Sequence, residues 1–389
     1  MRDADVNPTK IKVLHVSTVA VTLARFLSPI ARQLNASGFA VDAAAAGVAE
    51  NEICQQNFEK CFEIPFERKF LSSRNLTAAR TAIAEVVKQG EYDIVHVHTP
   101  IASFVTRAAL RNRPKHQKLI YTAHGFHFHS GASFLQNFVF SRLEKIASPW
   151  MDHLVVINQE DKRSAKRLKI ATENNLTYMS GIGVDLNEFT APTERQQREA
   201  RSQILAELKI PETSHVFLQI AGFTKNKRHC DTLRAFAKLS NDQRQDLLFA
   251  GIGQQMEASK KLAVDLGISD RVHFLGYRTD IPKLLFASDV FLLVSQREGL
   301  PRSVMEALAV QKTVVGTSIR GTTDLIKDEV GILVPPCDPD ALAKAMATST
   351  DFRPNEKQRK AVLEACSLPR IIDQHVALYR DLVQQGSSQ

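Results

Sequence analysis

From Ile11 nearly to the C-terminus, short β-rich runs alternate with stretches of helical periodicity, and no other feature restricts the fold so tightly. Such a rhythm predicts parallel strands joined by crossover helices, an α/β architecture. In the first half the runs are Ile11–Ser17, Ala40–Ala45, Asp93–His98, Leu119–Ala123, Leu154–Ile157 and Leu176–Met179. In the second they are Val216–Ala221, Leu247–Ala250, Val272–Leu275, Val290–Val294, Thr313–Thr317 and Gly331–Val334. Two sheets are predicted rather than one. Between them Phe189–Pro211, with Pro192, the polar stretch Thr193–Arg201 and Pro211, reads as an interdomain connection. A length of 389 residues suits two domains, and 44% hydrophobic with 24% charged residues excludes disordered and low-complexity architectures.

Ligands of open parallel sheets bind beyond the carboxyl ends of the strands, so the loops there carry the functional reading. The first such loop, Ser17 to Leu23, has no glycine, and the GxG at Gly251 and Gly253 has Met256 where a third glycine belongs. A nicotinamide or flavin fingerprint is therefore missing. GxxxxGK[ST] and GxSxG are also absent, which removes P-loop NTPases and α/β-hydrolases.

Net charge is +8, from 50 Lys+Arg against 42 Asp+Glu, and the excess is regional. Ile94 to Leu143 contains no acidic residue but holds Arg107, Arg111, Arg113, Lys115, Lys118, Arg142 and six histidines. A basic face of this kind draws anionic partners such as nucleotides, phosphorylated lipids or a membrane surface. Without a zinc-finger, helix-turn-helix or RNP pattern, no nucleic-acid partner is expected. The five cysteines show no CxxC spacing, and Asp3 and Asp5 stand where a secretory signal would be basic, so a cytoplasmic protein is expected.

The most informative stretch is FLLVSQREGLPRSVMEALAV, from Phe291. A buried-type strand is followed by a charged loop with Glu298 and Gly299, then Pro301 at a helix start, then Glu306 within the helix. A helix N-terminus over strand ends offers free N–H groups to a diphosphate. Ser303-x-x-Glu306 also fits a capping box, and on these residues alone the two readings of Glu306 stand level.

With Glu298 and Glu306 spaced as they are, this stretch resembles the EX7E motif of retaining glycosyltransferase family 4. Its neighbours GIGQQMEA, RVHFLGYRTDIPKLLFASDV, TVVGTSIRGTTDLI and GILVPPCDPDALAKAM follow in the family's order and cover nearly all of the second half. DIVHVHTP (Asp93–Pro100) and YTAHGFHFHSG (Tyr121–Gly131) are similar to the bacterial members that build surface glycans. The resemblance implies the GT-B fold, two Rossmann-like doubly wound parallel-sheet domains facing across a cleft. It implies an acceptor domain over 1–190, a nucleotide-sugar domain over 191–368, and a last helix within 369–389 returning to the first.

By that resemblance Glu306 holds the donor ribose, Glu298 faces the donor sugar beside the Gly299–Leu300–Pro301 backbone, and Lys227 neutralises the diphosphate. Away from the family, Lys227 reads as a solvated helix-face lysine. Where many relatives have Gly-Arg-Leu this chain has Ala221-Gly222-Phe223, so the second phosphate-binding cation is missing from its usual place, and Lys225, Arg228 and Arg320 are the candidates to substitute for it. His124, flanked by Ala123 and Gly125 after a strand, is expected to be exposed at the strand end; the resemblance assigns it to the donor sugar or the reacting centre. Ser17, Thr18 and Thr22 replace the family's Gly-Gly and offer hydroxyls to phosphate or acceptor.

Neither a cofactor nor a metal is expected, since the resemblance implies that Lys, Arg and helix-terminal N–H groups stabilise the leaving phosphate. The histidine sets His96/His98 and His124/His127/His129 are the rival metal ligands. Phe134, Leu135, Phe138, Val139, Leu143 and Ile146 form one apolar helix face bordered by Arg142 and Lys145, read first as core packing and second as contact with an anionic inner-membrane leaflet. The expected reaction is retaining transfer from a UDP-sugar to a saccharide or polyprenyl-diphosphate-linked acceptor. The alternatives are a GT-B nucleotide-sugar epimerase and a non-catalytic nucleotide-sugar-binding subunit of a synthase.

Overall fold

A computed structural model of the protein describes residues 10–69, 72–240, 243–327 and 329–387; Asp3 and Asp5 lie outside them. The described residues form two compact units, one from the chain up to Ile182 together with Leu368 onward, the other Gly183–Ser367.

In the first unit the strands are β1 (Ile11–Val19), β2 (Phe39–Ala46), β3 (Cys61–Glu63), β4 (Ile94–Val97), β5 (Lys118–Ala123), β6 (His153–Val156) and β7 (Leu176–Tyr178). They pair in parallel in the order β3-β2-β1-β4-β5-β6-β7. Strand β3 was not anticipated: Cys61-Phe62-Glu63 is too short to show alternation, and it forms by pairing with β2 at the sheet edge. Helices cover both faces, which explains why the strands are nearly continuous apolar runs. Leu14 and Val16 of β1 enter one core cluster, and Val13 enters the other with Ile94 and Ile120. The helix Leu368–Ser387 seals that second face, burying Ile371, Tyr379 and Leu382 in it.

The second unit contains β8 (His215–Ile220), β9 (Gln245–Ala250), β10 (Val272–Phe274), β11 (Val290–Leu293), β12 (Thr313–Thr317) and β13 (Ile332–Val334). Their order is β10-β9-β8-β11-β12-β13, again parallel throughout. The segment Phe189–Pro211 is not an extended linker. Thr193 and Gln196 form a capping box that starts the helix Glu194–Leu208. Arg201 from that helix donates to the Ala287 carbonyl at 2.8 Å and pairs with Asp289 at 3.2 Å. Only Ala200, Ile204 and Leu205 of the helix are buried, so its composition resembles a linker.

In both sheets the order reverses direction beside the first strand, between β1 and β4 and between β8 and β11. Loops leaving those strands diverge to opposite faces, which opens a crevice at the carboxyl ends.

Candidate active site

At the crevice of the second unit, the loop after β8 carries Lys227 and the loop after β11 carries Glu298. Their side chains meet, Lys227 Nζ donating to Glu298 Oε1 at 2.5 Å. Lys227 is therefore not a solvated helix-face lysine; it closes a short 3₁₀ turn, Lys225–Lys227. Backbone bonds hold the two loops together: Gln296 N–H donates to the Asn226 carbonyl and Asn226 Nδ2 to the Arg297 carbonyl, each at 2.9 Å. From below, the buried Gln219 side chain donates to the Lys227 carbonyl at 2.9 Å. The pair is thus set by both strands and locked by the backbone.

Glycine is required where the next loop touches this one. Gly321 has φ +76°, and a β-carbon there would lie 2.1 Å from the Gly299 carbonyl oxygen. That approach brings buried Arg320 to donate from Nε to the Glu298 carbonyl at 3.0 Å. Gly253, at φ +153°, would place a β-carbon 2.5 Å from the Phe223 carbonyl oxygen, so the weak GxG serves loop-on-loop packing.

Pro301 is the N-cap of the helix Arg302–Ala309, so it stands one position outside the helix rather than inside it. The capping-box reading of Ser303 and Glu306, one of the two that stood level, does not hold, because Ser303 is already helical and no side chain caps the terminus. Leu300, just before it, is buried. Glu306 is buried and pairs one turn back with Arg302 at 2.7 Å. Burial pushes its carboxyl up to about 7, against the pull of Arg302.

Of the three cations considered for the second phosphate contact, Arg228 is committed: Asp231 receives its Nε and Nη2, both at 2.7 Å. Arg320 is turned to the loop backbone as described, and Lys225 is exposed beside a cavity of about 260 Å³ that it lines with Thr224, Arg228 and Gln255.

In the first unit, histidines from three adjacent strands converge. Strand register sets His15 of β1 opposite His96 of β4, while His98 and His124 directly follow β4 and β5. His15 Nδ1 lies 2.7 Å from His98 Nε2, and His98 Nδ1 lies 3.2 Å from His124 Nε2. His124 is half-buried and engaged by His98, not exposed as its flanking small residues suggest. Beneath it, His96 bonds the Tyr379 hydroxyl at 2.5 Å and Thr122 Oγ1 at 2.7 Å. Burial lowers every one of these imidazoles, His15 to about 3 and His124 to about 4.

His15, His96 and His98 each bring a ring nitrogen within 4.8 Å of the others. Both nitrogens of His96 and of His98 are already engaged in hydrogen bonds, so a metal ion would have to displace them. His127 and His129 join none of these bonds; the His127 ring packs 5.0 Å from Phe140, and His129 Nδ1 accepts from Gly131 N–H.

The first loop offers less than its composition suggests. Strand β1 runs on to Val19, taking Ser17 and Thr18 into the interior. Ser17 Oγ donates to the Val19 carbonyl at 2.8 Å, and Thr18 Oγ1 shares a 2.6 Å hydrogen bond with Thr99. Thr22 is half-buried in the short helix that follows. The partner of this loop, Thr99, sits at the β4 terminus, and its only signal in the sequence is the HVHTP string.

The basic window is also partly spent. Arg107 is fully buried, paired with Glu144 at 2.8 Å and set over the Tyr121 ring at 4.6 Å, and Arg113 pairs with Asp152. Arg111, Lys115 and Arg142 remain exposed. The Phe134–Ala147 helix reverses the core-packing expectation: Phe134, Leu135, Phe138, Val139 and Ile146 are exposed, Phe134 to 86%. Between this helix and Gln159–Arg167 lies a cavity of about 770 Å³, lined by Phe128, Phe134, Phe138, Leu168, Arg163 and Arg167 among others. No described helix is long and apolar enough to cross a membrane.

Two parallel Rossmann-like sheets are the architecture of GT-B glycosyltransferases. A sucrose-phosphate synthase from Thermosynechococcus elongatus has the same fold, with TM-score 0.79 at 19% identity over 96% of this chain and 100% of that one. The model of Glycosyltransferase Family 4 matches residues 23–177, and that of Glycosyl transferases group 1 matches residues 200–362. The chain is 32% identical to the putative glycosyltransferase EpsD of Bacillus subtilis, over 86% of each chain. It is 27% identical to a UDP-Gal:alpha-D-GlcNAc-diphosphoundecaprenol alpha-1,3-galactosyltransferase of Escherichia coli, over 78% of this chain and 79% of that enzyme. The protein belongs to glycosyltransferase family 4.

Proposed function

We propose that this glycosyltransferase moves a hexose-type sugar, with retention, from a UDP-sugar to a polyprenyl-diphosphate-linked saccharide. The observation that carries the donor side is the Lys227–Glu298 pair at the β8/β11 switch point, with Glu306 in the helix that follows. An ammonium there neutralises the diphosphate, the Glu306 carboxyl, acceptor-only once ionised, receives ribose hydroxyls, and Glu298, released from Lys227, takes hydroxyls of the sugar beside Gly299 and Leu300. Lys225 is the best placed second phosphate cation, since Arg228 is held by Asp231. His124 takes the reacting sugar in the first unit.

With no carboxylate assigned as nucleophile, the acceptor oxygen attacks C1 on the face the phosphate leaves. The C1–O bond to phosphate breaks, the new C1–O bond forms, and the acceptor proton passes to the leaving phosphate oxygen. Lys227 stabilises the charge on that phosphate without a metal.

The acceptor reading is supported by the galactosyltransferase relative, whose acceptor is a diphosphoundecaprenol-linked sugar. The exposed Phe134, Leu135 and Phe138 face, with Arg142 and Lys145 at its border, suits peripheral contact with an anionic leaflet. The test is transfer from radiolabelled UDP-galactose, UDP-glucose and UDP-N-acetylglucosamine to undecaprenyl-diphosphate-N-acetylglucosamine in vesicles, with chelator present. Labelled lipid carrying an α-linkage supports the reading. A β-linked product removes retention, and donor isomerisation without transfer removes the transferase assignment of the site.

A further inference from the structure

The contacts His15–His98–His124 run as a single file across β1, β4 and β5, with rings 4.9 Å and then 5.4 Å apart between centroids. A neutral imidazole has one N–H and one lone pair, so placing one proton in such a file places them all. Only two orders satisfy both bonds. In the first, every ring is protonated at Nδ1: His15 donates to His98 Nε2, and His98 donates to His124 Nε2. In the second, every ring is protonated at Nε2 and each donation is reversed.

The inner end separates the two. His15 Nε2 is buried and has no hydrogen-bond partner among the described residues. The second order puts an N–H there with nothing to receive it, whereas the first leaves only a lone pair. A buried N–H without an acceptor is among the rarest features of folded proteins, and an under-used acceptor is tolerated better. The surrounding groups supply no competing proton. Tyr379 and Thr122 engage His96 on both sides, and His375 donates its Nδ1–H to the Ile371 carbonyl at 2.7 Å. Burial keeps the rings of the file neutral.

We infer that His98, backed by His15, is a positioning residue that holds the proton of His124 on Nδ1. The uncommitted nitrogen of His124 is then an N–H donor to a substrate oxygen and not a base. This rests on the proposed placement of His124 at the donor sugar, and it agrees with a displacement in which the leaving phosphate, not a histidine, takes the acceptor proton.

The direct test is long-range ¹H–¹⁵N NMR on the full chain labelled with ¹⁵N-histidine, with His124→Gln to assign the ring. The expected spectrum has a pyrrole-like Nδ1 and a pyridine-like Nε2 for His124. His98→Phe, which keeps a ring but removes both nitrogens, should release that preference, and His98→Asn, whose Nδ2 replaces the donor, should restore it. Turnover of UDP-galactose should fall about tenfold in kcat for His98→Phe with KM within about twofold, and recover in His98→Asn. An Nε2-protonated His124 in the native protein, or a tautomer indifferent to His98→Phe, overturns the inference. A tautomer that responds as described while kcat stays at the native value leaves the relay standing and refutes the placement of His124 at the sugar.

Discussion

Lys227 and Glu298 spend their charges on each other before any donor arrives, and this sets what single substitutions should do. Glu298→Gln removes the competitor for the ammonium, so UDP should bind as tightly as in the native protein or more tightly, while sugar transfer is lost; calorimetry and a transfer assay read the two separately. The buried ionisable groups give opposite pH signatures. A histidine whose folded pKa is depressed adds stability that is complete above pH 6.5 and disappears as pH falls toward the folded value. His15, at about 3, and His124, at about 4, should each cost about 1.4 kcal/mol per pH unit below 6.5. Urea midpoints should therefore fall steeply from pH 6.5 to 4, and less steeply in His15→Gln. Glu306 is raised, so its contribution is complete below its unfolded pKa and fades as pH rises through about 7. At this scale the sequence was half legible. Glu298 and Glu306 lie in a strand–loop–helix stretch that local signals mark, but only the family resemblance separates their roles from capping and lifts Lys227 above a solvated lysine. The contact of His15 and His98 with His124 is not legible there, because β1 and the ends of β4 and β5 are separated in sequence and meet only through sheet order.

Among elements, strands were easier to read than their ends. A strand buried on both faces declares itself as an apolar run, whereas β3 exists only by pairing with β2. The helix Glu194–Leu208 was hidden by its narrow buried stripe, and the Phe134–Ala147 helix was misjudged in the opposite direction. Periodicity shows that a helix has an apolar face but not what covers it. Because Phe134, Leu135 and Phe138 are exposed, changing all three to Ser should leave the thermal midpoint nearly unchanged. Co-sedimentation with anionic vesicles should drop several-fold; retention at the native level would remove this face from membrane contact. Gly321→Ala tests the loop packing at the site: the β-carbon meets the Gly299 carbonyl, so stability should fall by about 1–3 kcal/mol and UDP affinity with it.

Across the whole molecule, the net charge of +8 first suggested a basic surface, yet Arg107 and Arg113 are neutralised by Glu144 and Asp152 from just beyond the acid-free window. What distinguishes the chain is two sheets of one topology, each with functional candidates at its switch point. The C-terminal helix belongs structurally to the first of them. Tyr379→Phe leaves His96 Nδ1 without its hydroxyl partner and should destabilise that unit by about 1–3 kcal/mol, seen as a lower first transition in calorimetry. The central claim is that the second unit binds the donor through Lys227 and Glu306. Titration of UDP and of uridine into the native protein, Lys227→Ala and Glu306→Gln tests it most directly. The account predicts that Lys227→Ala weakens UDP roughly tenfold to a hundredfold while sparing uridine, and that Glu306→Gln weakens both. Native affinity for UDP in both variants would contradict it.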